Sequence, residues 1–552
     1  MKLIQNIKKN QTDVLKLLSL ILLYTIPLFA IITLGIPNSS HPFTYNMDEW
    51  HQFQAVKAVF KHFSNNIPGA AHGTMFQFLL TGFYLLPFYL FHIINPFILK
   101  SSLDAPEMQE KIFILLRFNS IIFGIGSLTA LYILAKKYLR LSPVITCLLF
   151  LATPVWIMLS NYFKYDIALT FWIICSLLAL LRYRDTPSLR NLLISCAVCA
   201  LALATKISAL PVIPMYAIAF LLFTPKPKHH IRWIILGTLT FVIVFCLVGI
   251  PDVLLQRGDW REFLYSNLIS GPTLAQNLKL NGSEFSYLFF QHYPVIFGHS
   301  FYLLIFLSLL YWVIFIKVFW KNKLRTNLSR YKTELFILTS FLLFLLSLLP
   351  LRLTAIGNRS LVLLPFFAIF CSMALKKIQD KFLNYKRVIN AVVGLIIIMQ
   401  IFESYAWLSI DLRAVPQQAS SQWIITHIQK GSLIGLENIP IYQGLPDVIL
   451  KDYYMKDSKL KSHTLYSYIV IDQSAKQLPP YIIITNADYA KKYLKTSAKK
   501  DLLTRISKDN YRKIAEFYPN LKLYYLFNNE LNYYLSGLVA TGPIEIYQRT
   551  VK

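Results

Sequence analysis

The chain has 552 residues, 55% of them hydrophobic and 15% charged, and a mean hydropathy of +0.49. Soluble domains are less apolar, so this composition excludes an ordinary soluble protein. The formal charge of +28 does not indicate a nucleic-acid partner, because lysine and arginine form short clusters between apolar runs rather than one basic face. We therefore predict a polytopic membrane protein that binds no nucleic acid.

The first apolar run extends from Val14 to Ile36; Lys2, Lys8 and Lys9 precede it, and Lys16 lies near its start. Lysine is retained on the cytoplasmic side of a membrane, and the run is longer than the apolar region of a signal peptide. We expect an uncleaved first helix near 14–36. It would leave the N-terminus in the cytoplasm and a long loop, residues 37–110, outside.

A second apolar run, from Met75 to Leu99, lies within this loop. If it crossed the membrane, the acidic segment 103–110 would be cytoplasmic and the basic segment 136–140 would be outside, which inverts the usual charge distribution. One glycine and two prolines also interrupt the run. We therefore predict that it lies along the outer interface or re-enters on the same side.

The later apolar runs alternate with basic segments as expected for further transmembrane helices. These helices are predicted near 112–135, 142–160, 166–182, 190–206, 208–223, 232–250, 293–317, 334–351, 360–375 and 388–408. With the first helix they make eleven spans, and an odd number places the C-terminal part opposite the N-terminus. A second long loop, 251–292, then lies outside.

The tail, residues 409–552, has a different pattern. Its apolar runs shorten to strand length, at 467–472 and 481–485, beside a polar helical stretch at 488–506. We predict a transmembrane part, 1–408, followed by an extracytoplasmic soluble α/β domain.

Asp48 and Glu49 are adjacent carboxylates in an amphipathic stretch just after the first predicted helix. A carboxylate at the outer membrane surface can accept a proton from an acceptor hydroxyl, and partial desolvation raises a carboxyl pKa towards the working pH. Asp48 can equally be the cap of a helix that begins at Glu49 or Trp50. Both interpretations stay open at this point.

Further ionisable residues fall in predicted outer turns. Lys164 and Asp166 lie between two predicted helices, and Arg359 begins another. Lys206 interrupts a long apolar stretch, where a lysine is tolerated if a tight turn places it at a polar cavity. His72 in the first loop is a candidate metal ligand, although a lone histidine is more often an ordinary loop residue. Ionisable residues at helix ends are also common as mere boundary markers.

Carboxylates that accept protons and cations that bind phosphate are the groups that sugar transfer from a lipid phosphate requires. Their order here resembles that of the membrane-embedded GT-C glycosyltransferases related to protein O-mannosyltransferases and to the bacterial aminoarabinose transferase of lipid A. Members of that group carry an acidic pair after the first helix, matched by Asp48 and Glu49, and an aspartate in a helix-to-helix turn, matched by Asp166.

Three more motifs carry the resemblance. A segment like LTK is matched by residues 204–206, and an arginine six residues before a proline is matched by Arg359 and Pro365. The pattern A-x-x-W-I…G-x-x-I after the last helix is matched by ASSQWIITHIQKGSLIG at 419–435, with one extra residue between Ala419 and Trp423. Where family members have H-P-P or K-P-P, this chain has His72, Gly73 and Thr74. Only the histidine matches, so the resemblance gives little support to His72 as a metal ligand.

The resemblance implies an inverting transfer of a sugar, a hexose or pentose, from a polyprenyl-phosphate donor to a lipid, glycan or protein acceptor. Asp48 would be the general base, while Glu49 and Asp166 would orient acceptor or sugar or bind a divalent metal ion, the one cofactor suggested. The cations Lys164, Lys206 and Arg359 would neutralise the departing lipid phosphate.

Two other classes remain possible from the sequence. A lipid or solute transporter would also place charges in its helices, but transporters of common folds have paired halves and charges near mid-membrane. A non-catalytic membrane scaffold would tolerate the loss of Asp48, whereas an enzyme would not. Since no eukaryotic retention signal ends the chain, we expect a prokaryotic plasma membrane and a role in the cell envelope.

Overall fold

The structure is a computed structural model of the chain. It describes residues 2–38, 44–62, 75–94, 106–224, 230–251, 289–290, 293–321, 331–348, 359–411, 415–436, 445–455, 464–471, 478–485, 504–520, 522–523, 526–527 and 543–550.

Most of these residues are helical. The first ten helices are α1 (Lys2–Ala30), α2 (Met47–His62), α3 (Phe76–Leu90), α4 (Pro106–Ile133), α5 (Pro143–Leu151), α6 (Pro154–Ser160), α7 (Tyr165–Asp185), α8 (Leu189–Thr205), α9 (Val212–Phe223) and α10 (His230–Val244). The others are α11 (Tyr293–Phe297), α12 (His299–Lys321), α13 (Lys332–Leu348), α14 (Leu364–Lys381), α15 (Lys386–Asp411), α16 (Pro416–His427) and α17 (Asp447–Met455).

Seven helical segments in the described part are long and apolar enough to cross a membrane, and an eighth crossing results if the bent pair α5 and α6 is one span. Every predicted transmembrane segment overlaps a helix of the structure. The polytopic helical fold class is therefore confirmed. The number of eleven spans and the cytoplasmic position of the N-terminus stay predictions.

Two predicted spans are broken in the structure. The segment predicted at 142–160 forms α5 and α6, which are bent by 69°. The segment predicted at 293–317 forms α11 and α12, separated by Gly298 with φ +87°. Hydropathy does not detect either break, because an apolar residue in a bend is as hydrophobic as one in a straight helix.

Side chains of α15 hydrogen-bond the backbone at both breaks. The amide of Gln400 accepts a hydrogen bond from Phe301 N at 2.9 Å and donates one to Phe297 O, and it fills the space that a side chain at residue 298 would need. The hydroxyl of Ser404 donates to Ala152 O at the other break. Irregular backbone inside apolar surroundings is stable only when its polar groups have such partners.

The N-terminal elements differ from expectation in one respect. Helix α1 ends at Ala30 rather than near residue 36, and residues 31–35 form a turn. Helix α3 has 15 residues, fewer than the ~20 needed to cross a bilayer. That length agrees with the predicted interfacial or re-entrant segment, whose position in the membrane stays a prediction; residues 95–99 lie outside the described part.

The C-terminal part contains a five-stranded mixed sheet. Its strands are β1 (Leu433–Leu436), β2 (Ser467–Val470), β3 (Tyr481–Thr485), β4 (Tyr511–Phe517) and β5 (Ile544–Arg549), in the spatial order β2-β1-β3-β5-β4. Strand β1 is parallel to β2 and β3, whereas β5 is antiparallel to β3 and β4.

The central strand β3 is apolar because both its faces are covered. Ile483 packs into a core with Ile434 and Leu436, while Ile482 and Ile484 pack on the opposite face. The predicted strands at 467–472 and 481–485 are β2 and β3, so the α/β class of the tail is confirmed. Most of the helix predicted at 488–506 lies outside the described residues.

The chain forms two compact units. The first, called here the helical unit, comprises Met1–Ala30, Gln52–Leu86 and Arg117–Ser404. The second, the mixed unit, comprises Ile31–His51, Pro87–Leu116 and Tyr405–Lys552. The boundary predicted at residue 408 stays a prediction.

We expect Gln400→Leu to lower the unfolding free energy by about 2 kcal/mol, because the buried amide of residue 301 and carbonyl of residue 297 each lose a partner. Thermal unfolding of the purified protein in detergent measures this change. The same substitution at the partly exposed Gln379, where the side chain bonds Asn390, is the control. Equal thermal midpoints for the two variants would show that Gln400 does not stabilise the break.

Candidate functional site

The acidic pair predicted to carry chemistry lies in the first turn of α2, within the mixed unit. The cap of this helix is Asn46, whose side-chain oxygen accepts hydrogen bonds from Asp48 N at 3.1 Å and Glu49 N at 3.4 Å. The interpretation of Asp48 as the helix cap is therefore wrong. An asparagine side chain satisfies the amides that the helix leaves unpaired, so the carboxylate of Asp48 is not needed for that task.

The two carboxylates differ in burial. Glu49 is fully buried, whereas Asp48 is half-buried. The carboxylate of Asp48 is therefore the more accessible of the two to a substrate. Both have further partners within the structure.

Tyr45, just before the cap, is held on two sides. Its backbone N donates to Gly35 O at 2.9 Å, and its ring occupies the space that a side chain at Gly35 would need. Its hydroxyl lies 3.2 Å from each carboxylate oxygen of Asp447, the first residue of α17. Burial raises the pKa of the Asp447 carboxyl to about 7, and the hydrogen bond from Tyr45 opposes that shift.

In the helical unit, Asp166 and Lys206 form a buried ion pair. Lys206 Nζ donates to Asp166 Oδ1 at 2.7 Å, and the two side chains are 8% and 6% exposed. The ammonium group also lies 4.4 Å from the centre of the Tyr165 ring, a cation–π contact. The predicted turn at Lys206 is confirmed, because α8 ends at Thr205 and a short 3₁₀ turn, Ile207–Ala209, leads to α9.

The packing of α7 against α8 explains why these two residues meet. Asp166 lies in the first turn of α7, and Lys206 caps the end of α8. The N-terminus of a helix favours a negative side chain and the C-terminus a positive one, so each charge is also stabilised by its own helix. The short connection at 186–188 makes α7 and α8 antiparallel. The start of α7 therefore lies beside the end of α8.

The start of α7 contains a second buried lysine and is hydrogen-bonded by a side chain of α2. Lys164 is its N-cap residue and is buried. Gln52, four residues after Asp48 in α2, accepts a hydrogen bond from Tyr165 N at 2.9 Å. An amide at the start of a helix has no partner within the helix, and the side chain of Gln52 supplies one.

Arg359 is half-buried and directly precedes a short 3₁₀ turn, Ser360–Leu363, that packs against α7. Pro365 follows in the first turn of α14, where its fixed φ suits a helix start. The structure thus places the segment of Arg359 beside the helix that carries Asp166.

His72, the predicted metal ligand, lies outside the described residues. Within the described ranges, no three histidine, cysteine or acidic side chains form a group that could hold a metal ion. A divalent ion therefore stays a prediction.

Sequence analysis missed several buried polar residues. Arg117 in α4 is 1% exposed and its guanidinium lies 5.5 Å from the centre of the Tyr162 ring. A signal for it was present, since an arginine within an apolar helix is rarely tolerated without a role. Tyr45, Asn46 and Gln52 carry no comparable signal, because they are ordinary polar residues in an amphipathic stretch.

Residues 110–250 match the family model described as dolichyl-phosphate-mannose-protein mannosyltransferase. This segment contains Lys164, Asp166 and Lys206. The resemblance predicted from the motifs is therefore confirmed over these residues. No curated protein matches the chain in sequence.

Solved structures are similar to the chain at low identity. ArnT from Cupriavidus metallidurans bound to undecaprenyl phosphate is 12% identical, with 97% of each chain covered and a TM-score of 0.46. The oligosaccharyltransferase AglB from Archaeoglobus fulgidus with an inhibitory peptide and a dolichol-phosphate is 10% identical, with 83% of this chain and 64% of that chain covered and a TM-score of 0.42. The Archaeoglobus fulgidus oligosaccharyltransferase in complex with Zn and sulfate is 10% identical, with 97% and 88% covered and a TM-score of 0.40.

We expect Lys206→Met to lower the unfolding free energy by about 3–5 kcal/mol, because Asp166 is then buried without its cation. The thermal midpoint in detergent measures this loss. The double variant Lys206→Met/Asp166→Asn recovers most of it, since no unpaired charge remains.

The control is Lys136→Met, which breaks the more exposed ion pair between Lys136 and Asp13. Little change is expected there, because water and salt screen an exposed pair. If the double variant were as unstable as Lys206→Met alone, the ion pair would not be the source of the stability.

Proposed function

We propose that the protein is a glycosyltransferase that moves a sugar from a polyprenyl-phosphate donor to an acceptor on the extracytoplasmic side of a membrane. The observation that carries this proposal is the buried pair of Asp166 and Lys206 inside the segment that matches the mannosyltransferase family model. Charges among apolar helices are costly to bury, so their presence at the end of a helix hairpin favours a role in the reaction.

The proposed reaction is an in-line displacement with inversion. The acceptor hydroxyl or amine attacks the anomeric carbon from the face opposite the phosphate, and its proton passes to the carboxylate of Asp48. The bond from the anomeric carbon to the phosphate oxygen breaks, and polyprenyl phosphate leaves with the electron pair. Cleavage of the sugar–phosphate bond of the donor supplies the driving force, so the reaction needs no nucleotide site, and the sequence contains no P-loop or G-x-G-x-x-G motif.

The burial of the acidic pair supports separate roles for its members. Asp48 is half-buried, and Asn46 rather than Asp48 caps α2. The carboxylate of Asp48 therefore suits a general base, which must contact the acceptor. Glu49 is enclosed and suits an orienting role.

The cations suit the leaving group. We assign Lys164, Lys206 and Arg359 to the departing phosphate, whose negative charge grows as the bond breaks. Asp166 then acts on the reaction through Lys206, because its carboxylate fixes the ammonium group at 2.7 Å. A divalent ion held by acidic residues, with or without His72, is a further element of the proposal and no step depends on it.

The proposed donor class agrees with what the similar structures contain, namely undecaprenyl phosphate in one and a dolichol-phosphate in another. The sugar transferred is a hexose or pentose, and the acceptor a lipid, glycan or protein. We place the protein in a prokaryotic plasma membrane, with the N-terminus in the cytoplasm and residues 409–552 on the far side.

We expect Asp48→Asn to lower turnover by about 10²–10⁴-fold, the usual contribution of a general base. The amide keeps the shape of the side chain but accepts no proton. The assay reconstitutes the protein with polyprenyl-phosphate sugars and measures the release of polyprenyl phosphate. The change in thermal midpoint should be small, because Asn46 and not Asp48 caps α2.

The control is Asp185→Asn, at the opposite end of α7, where the aspartate is exposed and pairs with Arg184. That variant should turn over like the wild type. A folded Asp48→Asn protein with unchanged turnover would remove Asp48 from the mechanism.

A further inference from the structure

The residues just before the acidic pair connect two distant parts of the chain. Tyr45 and Asp447 are 402 positions apart, and both belong to the mixed unit. Each is 2% exposed, and the hydroxyl of Tyr45 lies at hydrogen-bond distance from both oxygens of the carboxylate. A buried contact of this kind helps to fix the position of both partners, since breaking it removes a hydrogen-bond donor from a buried carboxylate.

The Asp447 end of this contact is rigid. Val448 N donates to Ser421 Oγ at 3.0 Å, which joins the start of α17 to α16. The next residues, Val448, Ile449 and Leu450, are buried in the core of the C-terminal sheet. Asp447 therefore projects from a packed domain and not from a loose loop.

The Tyr45 end leads directly to the acidic pair. Only Asn46 and Met47 separate Tyr45 from Asp48. Thr44 Oγ1 donates to Asn46 O at 2.7 Å, and the Asn46 side chain accepts from the amides of Asp48 and Glu49. With the ring of Tyr45 packed on Gly35, the whole segment from Thr44 to Glu49 has little freedom to move.

We propose that Tyr45 and Asp447 are positioning residues, through which the C-terminal domain sets the location of the helix start that carries Asp48. This inference rests on the proposed function, in which Asp48 is the general base. It gives the C-terminal domain a part in catalysis without any contact between Asp447 and the substrate.

A set of four variants tests the pair. Tyr45→Phe removes only the hydroxyl, and Asp447→Leu removes the acceptor. The double variant of these two should lose little more than the worse single variant, because both substitutions remove the same contact between Tyr45 and Asp447. Asp447→Asn keeps an oxygen that accepts from Tyr45 and should retain most of the activity.

The expected effect is on turnover and not on donor binding. We expect Tyr45→Phe to lower kcat about 10–100-fold, since displacement of a catalytic group by about 1 Å has costs of that size, and to leave KM for the donor nearly unchanged. Losses that multiply in the double variant, or an Asp447→Asn protein as poor as Asp447→Leu, would overturn the inference.

The chain offers a matched control in the same domain. Tyr468 donates to Asp452 Oδ2 at 2.8 Å, and that carboxylate also accepts from Leu465 N and Tyr466 N. Tyr468→Phe removes the hydroxyl of a second tyrosine–aspartate pair, which joins α17 to β2. It should lower the thermal midpoint and leave kcat unchanged. An equal fall in kcat for Tyr468→Phe and Tyr45→Phe would mean that general destabilisation is the cause, which contradicts positioning.

Amide hydrogen exchange separates this inference from the proposed function. In Tyr45→Phe, the amides of residues 48–52 should exchange faster than in the wild type or in Tyr468→Phe, whether or not the protein has transferase activity. Faster exchange in a protein whose wild type releases no polyprenyl phosphate would support the anchoring of α2 and refute the proposed function. Unchanged exchange would refute the anchoring.

Discussion

A polar group among apolar helices has no water to bind, so it needs a partner from the protein itself. This requirement determines where the described structure is rigid. Lys206 is held by Asp166, the break at Gly298 by Gln400, and the break after α5 by Ser404. Each of these contacts joins side chains or backbone groups of different helices.

The same requirement links structure to the proposed chemistry. A carboxylate and an ammonium group that are held in place before a substrate arrives need no rearrangement during the reaction, which is how preorganised charges accelerate transfer. Asp166 and Lys206 are fixed by the ends of a helix hairpin, and the start of α2 is fixed by Asn46 and Tyr45. In the proposed mechanism Asp166 and Lys206 act at the leaving phosphate. Asn46 and Tyr45 hold the helix start that carries the general base, Asp48.

Sequence patterns predicted the helices and strands better than they predicted the contacts between side chains. Long apolar runs and short alternating strands predicted helices such as α7 and α15 and strands β2 and β3, because burial in lipid or in a sheet requires those patterns. The two helix breaks were missed, because hydropathy is averaged over a window of many residues and does not report the backbone bend within it. The pair of Tyr45 and Asp447 was also missed, because a contact across 402 residues leaves no local signal. The turn at Lys206 was predicted, because a lysine inside an apolar stretch requires one, but its partner Asp166 was not.

Cleavage of the donor is the most direct test of the proposed function. Proteoliposomes containing the protein, a polyprenyl-phosphate donor labelled in its sugar and a water-soluble acceptor distinguish transfer from transport. We expect the label in the acceptor, with inverted anomeric configuration, together with an equal amount of polyprenyl phosphate. Intact labelled donor moved to the opposite leaflet, with no polyprenyl phosphate released, would contradict a transferase and identify a lipid transporter.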